Sequence, residues 1–390
     1  MHVALVGTYP PKQCGIATFT ADVEAALRHN GARVTLVPVL ADGDSEPPLA
    51  AVTIRRDDRL SYVEAARALN DLGVDVTLIQ HEFGIFGGDA GAFVVSFAAH
   101  LDMPFAVTMH TVLPQYTDAQ AAVVEILAAR ASVLTVMTES ARRLVVQQEL
   151  APAGSLVVIP HGAPEELFDV FDAAATRSRF GVASDVPVMT TFGLLSEGKG
   201  IELALHAMAA LEQHPDLHYI IAGRTHPEVF KQEGERYRRE LETLSEQLGL
   251  GTRVRFVDRF MDVGELGDLL GMSSIVCTPY RGEHQSVSGV LTFALAAGCP
   301  VVSTPYRYAE DMLADGAGQI ATLGDVDGFA AAIASLLDGP LAVSARQAAR
   351  KASSTMRWPR VGAELLDALD TSMSERAEAN AGARPSLRTL

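Results

Sequence analysis

Short unbroken apolar runs, each followed by a stretch with helical spacing, recur along almost the whole chain. In the first half the runs fall at 3–6, 34–39, 76–79, 105–109, 133–137 and 156–159, with helical patterns at 21–29, 62–72, 93–100, 119–129 and 141–148. The runs are continuous rather than alternating, as expected of strands covered by helices on both faces of a parallel sheet. The rhythm lapses over 165–187, where charged and small residues dominate, and resumes with strands at 188–192, 217–222, 254–256, 275–279 and 299–303. Helices are predicted between them at 201–212, 228–248 and 263–271, and from Ser288-Gly289 to Gly298, because serine caps amino termini and glycine takes the left-handed conformation after a last turn. A turn into a short strand at 316–320 and helices at 327–337, 342–355 and 361–369 complete the pattern. The expected organisation is α/β, with two doubly wound, Rossmann-like parallel-sheet domains at 1–170 and 186–356. A helical segment follows at 357–373, and the polar, alanine-rich tail at 374–390 lacks an apolar face and is expected to fray.

Composition narrows the partners. At 390 residues, 48% hydrophobic and 20% charged, the chain can bury two cores of ordinary size. Its net charge of −17, from 48 acids against 31 bases, argues against nucleic acid and anionic membrane, both of which demand concentrated lysine and arginine. Cys14, Cys277 and Cys299 are widely spaced and odd in number, which fits neither a disulfide framework nor a metal site. No metal or cofactor is expected. The first strand begins at once, without the basic region and cleavage site of a signal peptide, and apolar runs such as 92–99 stop short of a membrane span. A cytoplasmic protein is expected.

The densest chemistry lies in IVCTPYRGEHQSVSGVLTFALAAGCPVVSTP, residues 275–305, which packs strand, polar loop, helix and strand together. In an open parallel sheet ligands collect at the carboxyl ends of strands, where the next helix points free N–H groups at anions. Ser288, Gly289 and Val290 stand at that helix entrance, behind a loop carrying Glu283, His284 and Gln285. A second strand-to-helix passage, FGLLSEGKG at 192–200, brings backbone amides and Lys199 to a phosphate-sized anion. An ordinary turn with a solvated lysine is the alternative. Arg224, Arg259 and Arg281 each follow a strand end, as do His81 with Glu82, and His110.

The helix with Ala-x-Ala-x-Gly-x-Pro-Val-Val after a Glu-containing loop, and Gly-x-Leu-x-Glu-x-Lys-Gly before it, resemble the donor-binding motifs of glycosyltransferase family 4. That resemblance implies a GT-B fold, with the two domains facing across a cleft and the last helix crossing back to the first domain. It also implies a retaining transferase that moves a hexose such as mannose or glucose from a nucleoside diphosphate sugar to an acceptor hydroxyl. Lys199, Arg224, Arg281, Ser288, Gly289, Val290 and the glycine-rich first loop at Gly15 would then hold the donor. His110, Glu283 and Gln285 would serve at the reacting sugar, and His81 and Glu82 would line the acceptor side. His161-Gly162 stands where the family often has Asn-Gly. Three departures stand out: Leu194 replaces an arginine that meets the diphosphate, Gln285 a glutamate, and Phe293 the glutamate that holds ribose. Phe293 reads as a core residue, and Arg281 as the nearest compensating cation. The departures leave two alternatives open, a sugar- or nucleotide-binding protein without turnover, and a glycoside phosphorylase or nucleotide-sugar epimerase on the same fold.

Overall fold

The computed structural model describes residues 1–382 apart from 49, 170, 171 and 284, with the backbone alone over 376–382. The chain divides into two compact units, Met1–His161 with Trp358–Leu390, and Gly162–Arg357.

The first unit runs β1 (His2–Gly7), α1 (Gly15–His29), β2 (Arg33–Leu40), β3 (Ile54–Arg55), α2 (Arg59–Asp71), β4 (Val76–His81), α3 (Phe93–Ala99), β5 (Phe105–Met109), α4 (Asp118–Arg130), β6 (Val133–Val136), α5 (Glu139–Gln147) and β7 (Leu156–Val158). The strands form one parallel sheet in the order β3-β2-β1-β4-β5-β6-β7, with Val3 opposite both Val34 and Val76. Helix starts follow short polar side chains: Asp58 caps α2, Thr138 caps α5, and Thr117 with Gln120 forms a reciprocal box on α4. Strand β3 escaped the hydrophobic pattern because it has only two residues.

In the second unit α6 (Ala173–Arg179), β8 (Val188–Phe192), α7 (Ile201–Ala210), β9 (His218–Ala222), α8 (Pro227–Glu233), α9 (Arg236–Gln247), β10 (Val254–Val257), α10 (Val263–Met272), β11 (Ile275–Thr278), α11 (Gly289–Ala296), β12 (Val301–Ser303), α12 (Arg307–Leu313), β13 (Gly318–Ile320), α13 (Val326–Leu337) and α14 (Gly339–Ala352) follow in turn. Its parallel sheet has the order β10-β9-β8-β11-β12-β13. The single helix expected over 228–248 is two, because Gly234 adopts φ 62° between α8 and α9. Helices α6 and α12 were not foreseen; both are about two turns long and too short for periodicity to show.

The boundary falls at His161–Gly162, earlier than the composition change suggests. Residues 165–187 belong to the second unit because they are tied into it: Leu167 is fully buried, Arg177 donates to the Met272 carbonyl at 3.0 Å, and Arg179 pairs with Asp268 at 2.8 Å. The chain then returns to the first unit through α15 (Trp358–Gly382), so residues 374–382, expected to fray, are helical, while 383–390 lie outside the described residues. Trp358 meets the Phe19 ring edge-on at 5.2 Å, and Asn30 donates to the Pro359 carbonyl. Gly362 lies so close to α1 that a Cβ there would sit 2.7 Å from the Ala26 carbonyl oxygen. Gly362→Val is therefore expected to destabilise the protein by about 3 kcal/mol, the upper range for overpacking a tight contact. A denaturant midpoint equal to wild type would show that α15 does not press on α1.

Each sheet has one point where chain order reverses, β1/β4 in the first unit and β8/β11 in the second, and connections leave in opposite directions there. Such switch points open a crevice at the carboxyl ends of the strands. Among the described residues no single helix is long and apolar enough to cross a membrane.

Candidate functional site

At the second unit's switch point three loops are fastened together by backbone hydrogen bonds. After β8 the chain turns at Gly193, whose φ is 108°, and Leu195 N–H donates to the Arg224 carbonyl at 2.8 Å while His226 N–H donates to the Leu195 carbonyl at 2.9 Å. The loop after β9 is thereby zipped to the loop after β8. Gly223 makes this approach possible: it has φ 144°, and a Cβ there would lie 1.9 Å from the Gly193 carbonyl oxygen. The β8 loop ends in a turn at Glu197–Lys199 and at Gly200, whose φ is 58° and whose Cβ position is 2.1 Å from the Pro279 carbonyl. Arg281 N–H donates to the Gly198 carbonyl at 3.0 Å, which fastens the β11 loop as well.

This framework presents Lys199. Its Nζ lies 4.0 Å from the centroid of the Tyr280 ring, and Tyr280 in turn stacks on Tyr306 at 5.2 Å and 17°. A cation over an aromatic face is held by the ring quadrupole without being neutralised. Among the described residues no acidic side chain pairs with Lys199. Burial pushes its pKa down to about 8. The ammonium is thus half-buried and short of negative charge, a state that an incoming anion relieves.

The start of α11 adjoins the same loop, since a Cβ on Gly193 would lie 3.3 Å from Val290 Cγ2. Ser288 caps the helix, its Oγ accepting from Leu291 N at 3.2 Å. The N–H groups of Gly289 and Val290, in the first turn, have no carbonyl four residues back inside the helix and carry the positive end of its dipole. Lys199 and the α11 entrance therefore supply a cation and oriented N–H donors, the requirements of a phosphate or diphosphate site.

The other expected residues of this unit divide. Arg224 is exposed, with its carbonyl committed to Leu195. Arg281 is exposed and pairs with Glu202 at 3.3 Å, so part of its charge is already answered, contrary to its expected role as the free compensating cation. Arg259 pairs with Glu265 at the start of α10. Gln285 donates its amide to the Val287 carbonyl at 2.9 Å, which folds the side chain back on its own loop. Glu283 is exposed, its carbonyl taking Arg307 N–H at 3.3 Å, and His284 lies outside the described residues. Phe293 is half-buried rather than part of the core.

In the first unit the expected residues are more enclosed than their strand-end positions suggested. Strand β4 runs on through His81, which is 1% exposed with its ring stacked on Phe86 at 6.1 Å and edge-on to Phe83 at 5.0 Å. It does not line an open pocket. Burial pushes its pKa down to about 4. His110 is also buried, edge-on to Phe19 at 4.7 Å, with Nε2 and Gln80 Oε1 2.8 Å apart. Burial, and then the neighbouring His161 and His81, lower its pKa to about 3, so it stands as a neutral ring inside a network. Glu82 accepts from Thr111 Oγ1 and from Phe83 N, and burial raises its pKa. Gly15 opens α1, exposed and with open space at its Cβ position, behind Cys14, whose Sγ accepts from Ala17 N at 3.3 Å. His161 is buried against Phe19 at 4.9 Å, in keeping with a structural place.

Sequence reasoning missed Tyr280, Tyr306 and His226. Tyr280 and Tyr306 each follow a strand with a proline in between, a signal that their side chains stand at the sheet's ligand edge. His226 sits in Arg-Thr-His-Pro after β9, where the proline marks a helix start.

Comparison with known proteins bears on the fold and on the second unit. The family model for "Glycosyl transferases group 1" matches residues 172–354, which spans nearly all of the second unit. D-inositol 3-phosphate glycosyltransferase of Kribbella flavida is 31% identical over 214 residues, 52% of this chain and 47% of that protein. Phosphatidyl-myo-inositol mannosyltransferase of Mycolicibacterium smegmatis is 29% identical over 178 residues, 44% of this chain and 42% of that protein. The chain thus matches a little under half the length of these relatives. Among solved structures, sucrose-phosphate synthase from Thermosynechococcus elongatus superposes with a TM-score of 0.77 at 18% identity, covering 96% of this chain and 99% of the other. Anabaena Alr3699/HepE in complex with UDP gives a TM-score of 0.77 at 17% identity, covering 95% and 100%. The fold is GT-B.

Proposed function

We propose that this protein is a glycosyltransferase whose second unit binds a nucleoside diphosphate sugar and transfers the sugar, a hexose such as mannose or glucose, to an acceptor hydroxyl with retention of configuration. One observation carries the reading: a half-buried ammonium at Lys199, with no acidic partner among the described residues, on the loop that adjoins the amino terminus of α11 at the sheet's switch point. The family match over this unit and the sugar-transferring relatives support it.

In transfer, the bond between the sugar's anomeric carbon and the diphosphate oxygen breaks, the electron pair leaving with the diphosphate, while the acceptor oxygen bonds to that carbon. Lys199 and the Gly289 and Val290 N–H groups face the charge that grows on the leaving group, and preorganised donors of this kind are worth most where water is excluded. The acceptor proton passes to an oxygen of the departing diphosphate on the same face. No side-chain base is needed for that step, which suits His81 and His110 being enclosed and neutral. Glu283, exposed on the loop before α11, is the group offered to the donor's sugar hydroxyls.

Incubating the protein with a panel of uridine and guanosine diphosphate sugars and mixed sugar acceptors, with products read by mass spectrometry, tests this. Release of nucleoside diphosphate with a new glycoside is expected. The half-buried Phe293, in place of a ribose-binding carboxylate, gives phosphorolysis its standing as a second reading. Inert nucleotide sugars together with sugar phosphate formed from a disaccharide and phosphate would replace the transferase by a phosphorylase.

A further inference from the structure

We infer that His226 is a binding residue of the same anion site, donating its Nε2 proton to a phosphate oxygen of the diphosphate held by Lys199; this rests on the reading above. His226 is the cap of α8, and its Nδ1 accepts the Glu228 backbone N–H at 3.2 Å. A backbone N–H is always a donor, so Nδ1 must offer a lone pair and the ring proton must sit on Nε2. The helix start therefore fixes the tautomer, and the ring presents an N–H donor on the side away from α8.

Two further observations place that donor. The zipper of His226 N–H to the Leu195 carbonyl at 2.9 Å holds the histidine against the loop that ends at Lys199, and Pro227 fixes the direction in which the chain leaves. Burial lowers the His226 pKa, Glu228 opposes that shift and the Lys199 charge adds to it. A neutral N–H donor beside an ammonium adds no like-charge repulsion to the free site. The arrangement also answers the question raised by Leu194. Where an arginine at that position would reach the diphosphate, the β9 loop supplies a neutral hydrogen bond in place of a second charge.

The cap role and the ligand role separate cleanly by substitution. His226→Ser keeps a good helix cap and removes the Nε2 donor, whereas His226→Ala removes both. Uridine diphosphate, guanosine diphosphate and inorganic pyrophosphate are titrated calorimetrically into wild type, H226S, H226A and K199M, with thermal midpoints measured alongside. H226S is expected to melt with wild type and to bind the tighter nucleoside diphosphate about tenfold more weakly, and H226A to show the same drop in affinity with a lowered midpoint. Long-range nitrogen–proton correlation of the wild-type histidines is expected to show the Nε2–H form for the resonance missing in H226S. H226S binding as wild type while K199M binds weakly would overturn the role of His226 alone. Wild type that binds none of the three probes would overturn the diphosphate site itself, and this inference with it.

Discussion

Lys199→Met is expected to weaken nucleoside diphosphate binding by roughly tenfold to a hundredfold, the removal of one charge-assisted hydrogen bond worth about 1.5–3 kcal/mol, while leaving folding intact. The two effects part because Lys199 sits over Tyr280 without an acidic partner in the described residues. Its ammonium is held at a desolvation cost, so methionine removes a liability from the folded protein and a ligand from the anion. The pH dependence carries a sign. With a folded pKa lowered by burial to about 8, the lysine of the free protein sheds its proton as pH rises through that value, and affinity for the diphosphate falls with it. An unfolded lysine keeps its proton to about pH 10.4, so between these values the unfolded chain holds more protons and this residue's contribution to stability rises with pH. Isothermal titration from about pH 7 to 9.5, a range that brackets the lowered value, should show falling affinity for wild type and a flat, weak profile for K199M. A K199M protein that binds as tightly as wild type would remove Lys199 from the site.

Gly223→Ala is expected to lower stability by about 3 kcal/mol, at the upper end of ordinary single substitutions, and to abolish diphosphate binding. The residue has φ 144°, a region that side chains rarely enter, and its added methyl would lie 1.9 Å from the Gly193 carbonyl oxygen. Relief of that clash must part the β8 and β9 loops, which share the hydrogen bonds of Leu195 and His226. The control lies within the same framework. Gly198→Ala has nothing nearer its Cβ position than Ser196 Oγ at 3.8 Å and should be silent in stability and binding. Of the two glycines flanking Lys199, only Gly200, with its Cβ position 2.1 Å from the Pro279 carbonyl, is required by geometry. Equal thermal midpoints for Gly223→Ala and Gly198→Ala would contradict the zipped-loop framework.

The fold was legible because each buried strand is an unbroken apolar run. Strands 105–109 and 188–192 fall where the pattern puts them, and the helix opened by Ser288 begins with that serine as its cap. What escaped was governed by contacts distant in sequence. The break at Gly234 inside an otherwise continuous pattern depends on one left-handed residue, and the attachment of 165–187 to the second unit depends on Arg177 and Arg179 reaching α10. At the site, Lys199 and Ser288 could be read from local motifs, since a strand, a turn and a cap lie within a few residues of each. Burial was less readable. His81 and His110 stand at strand ends, yet Phe83, Phe86 and Phe19 close over them. Arg281 looked free in the sequence and meets Glu202 in the fold. The Tyr280–Tyr306 stack and the capping role of His226 needed coordinates, because neither pairing has a periodic signature.

The most direct measurement is the structure of this chain crystallised with a nucleoside diphosphate. Phosphate oxygens about 2.7–3.0 Å from Lys199 Nζ and from the Gly289 or Val290 nitrogen are the expected result. A diphosphate bound elsewhere, with Lys199 Nζ still resting on the Tyr280 ring and the α11 entrance empty, would contradict the account.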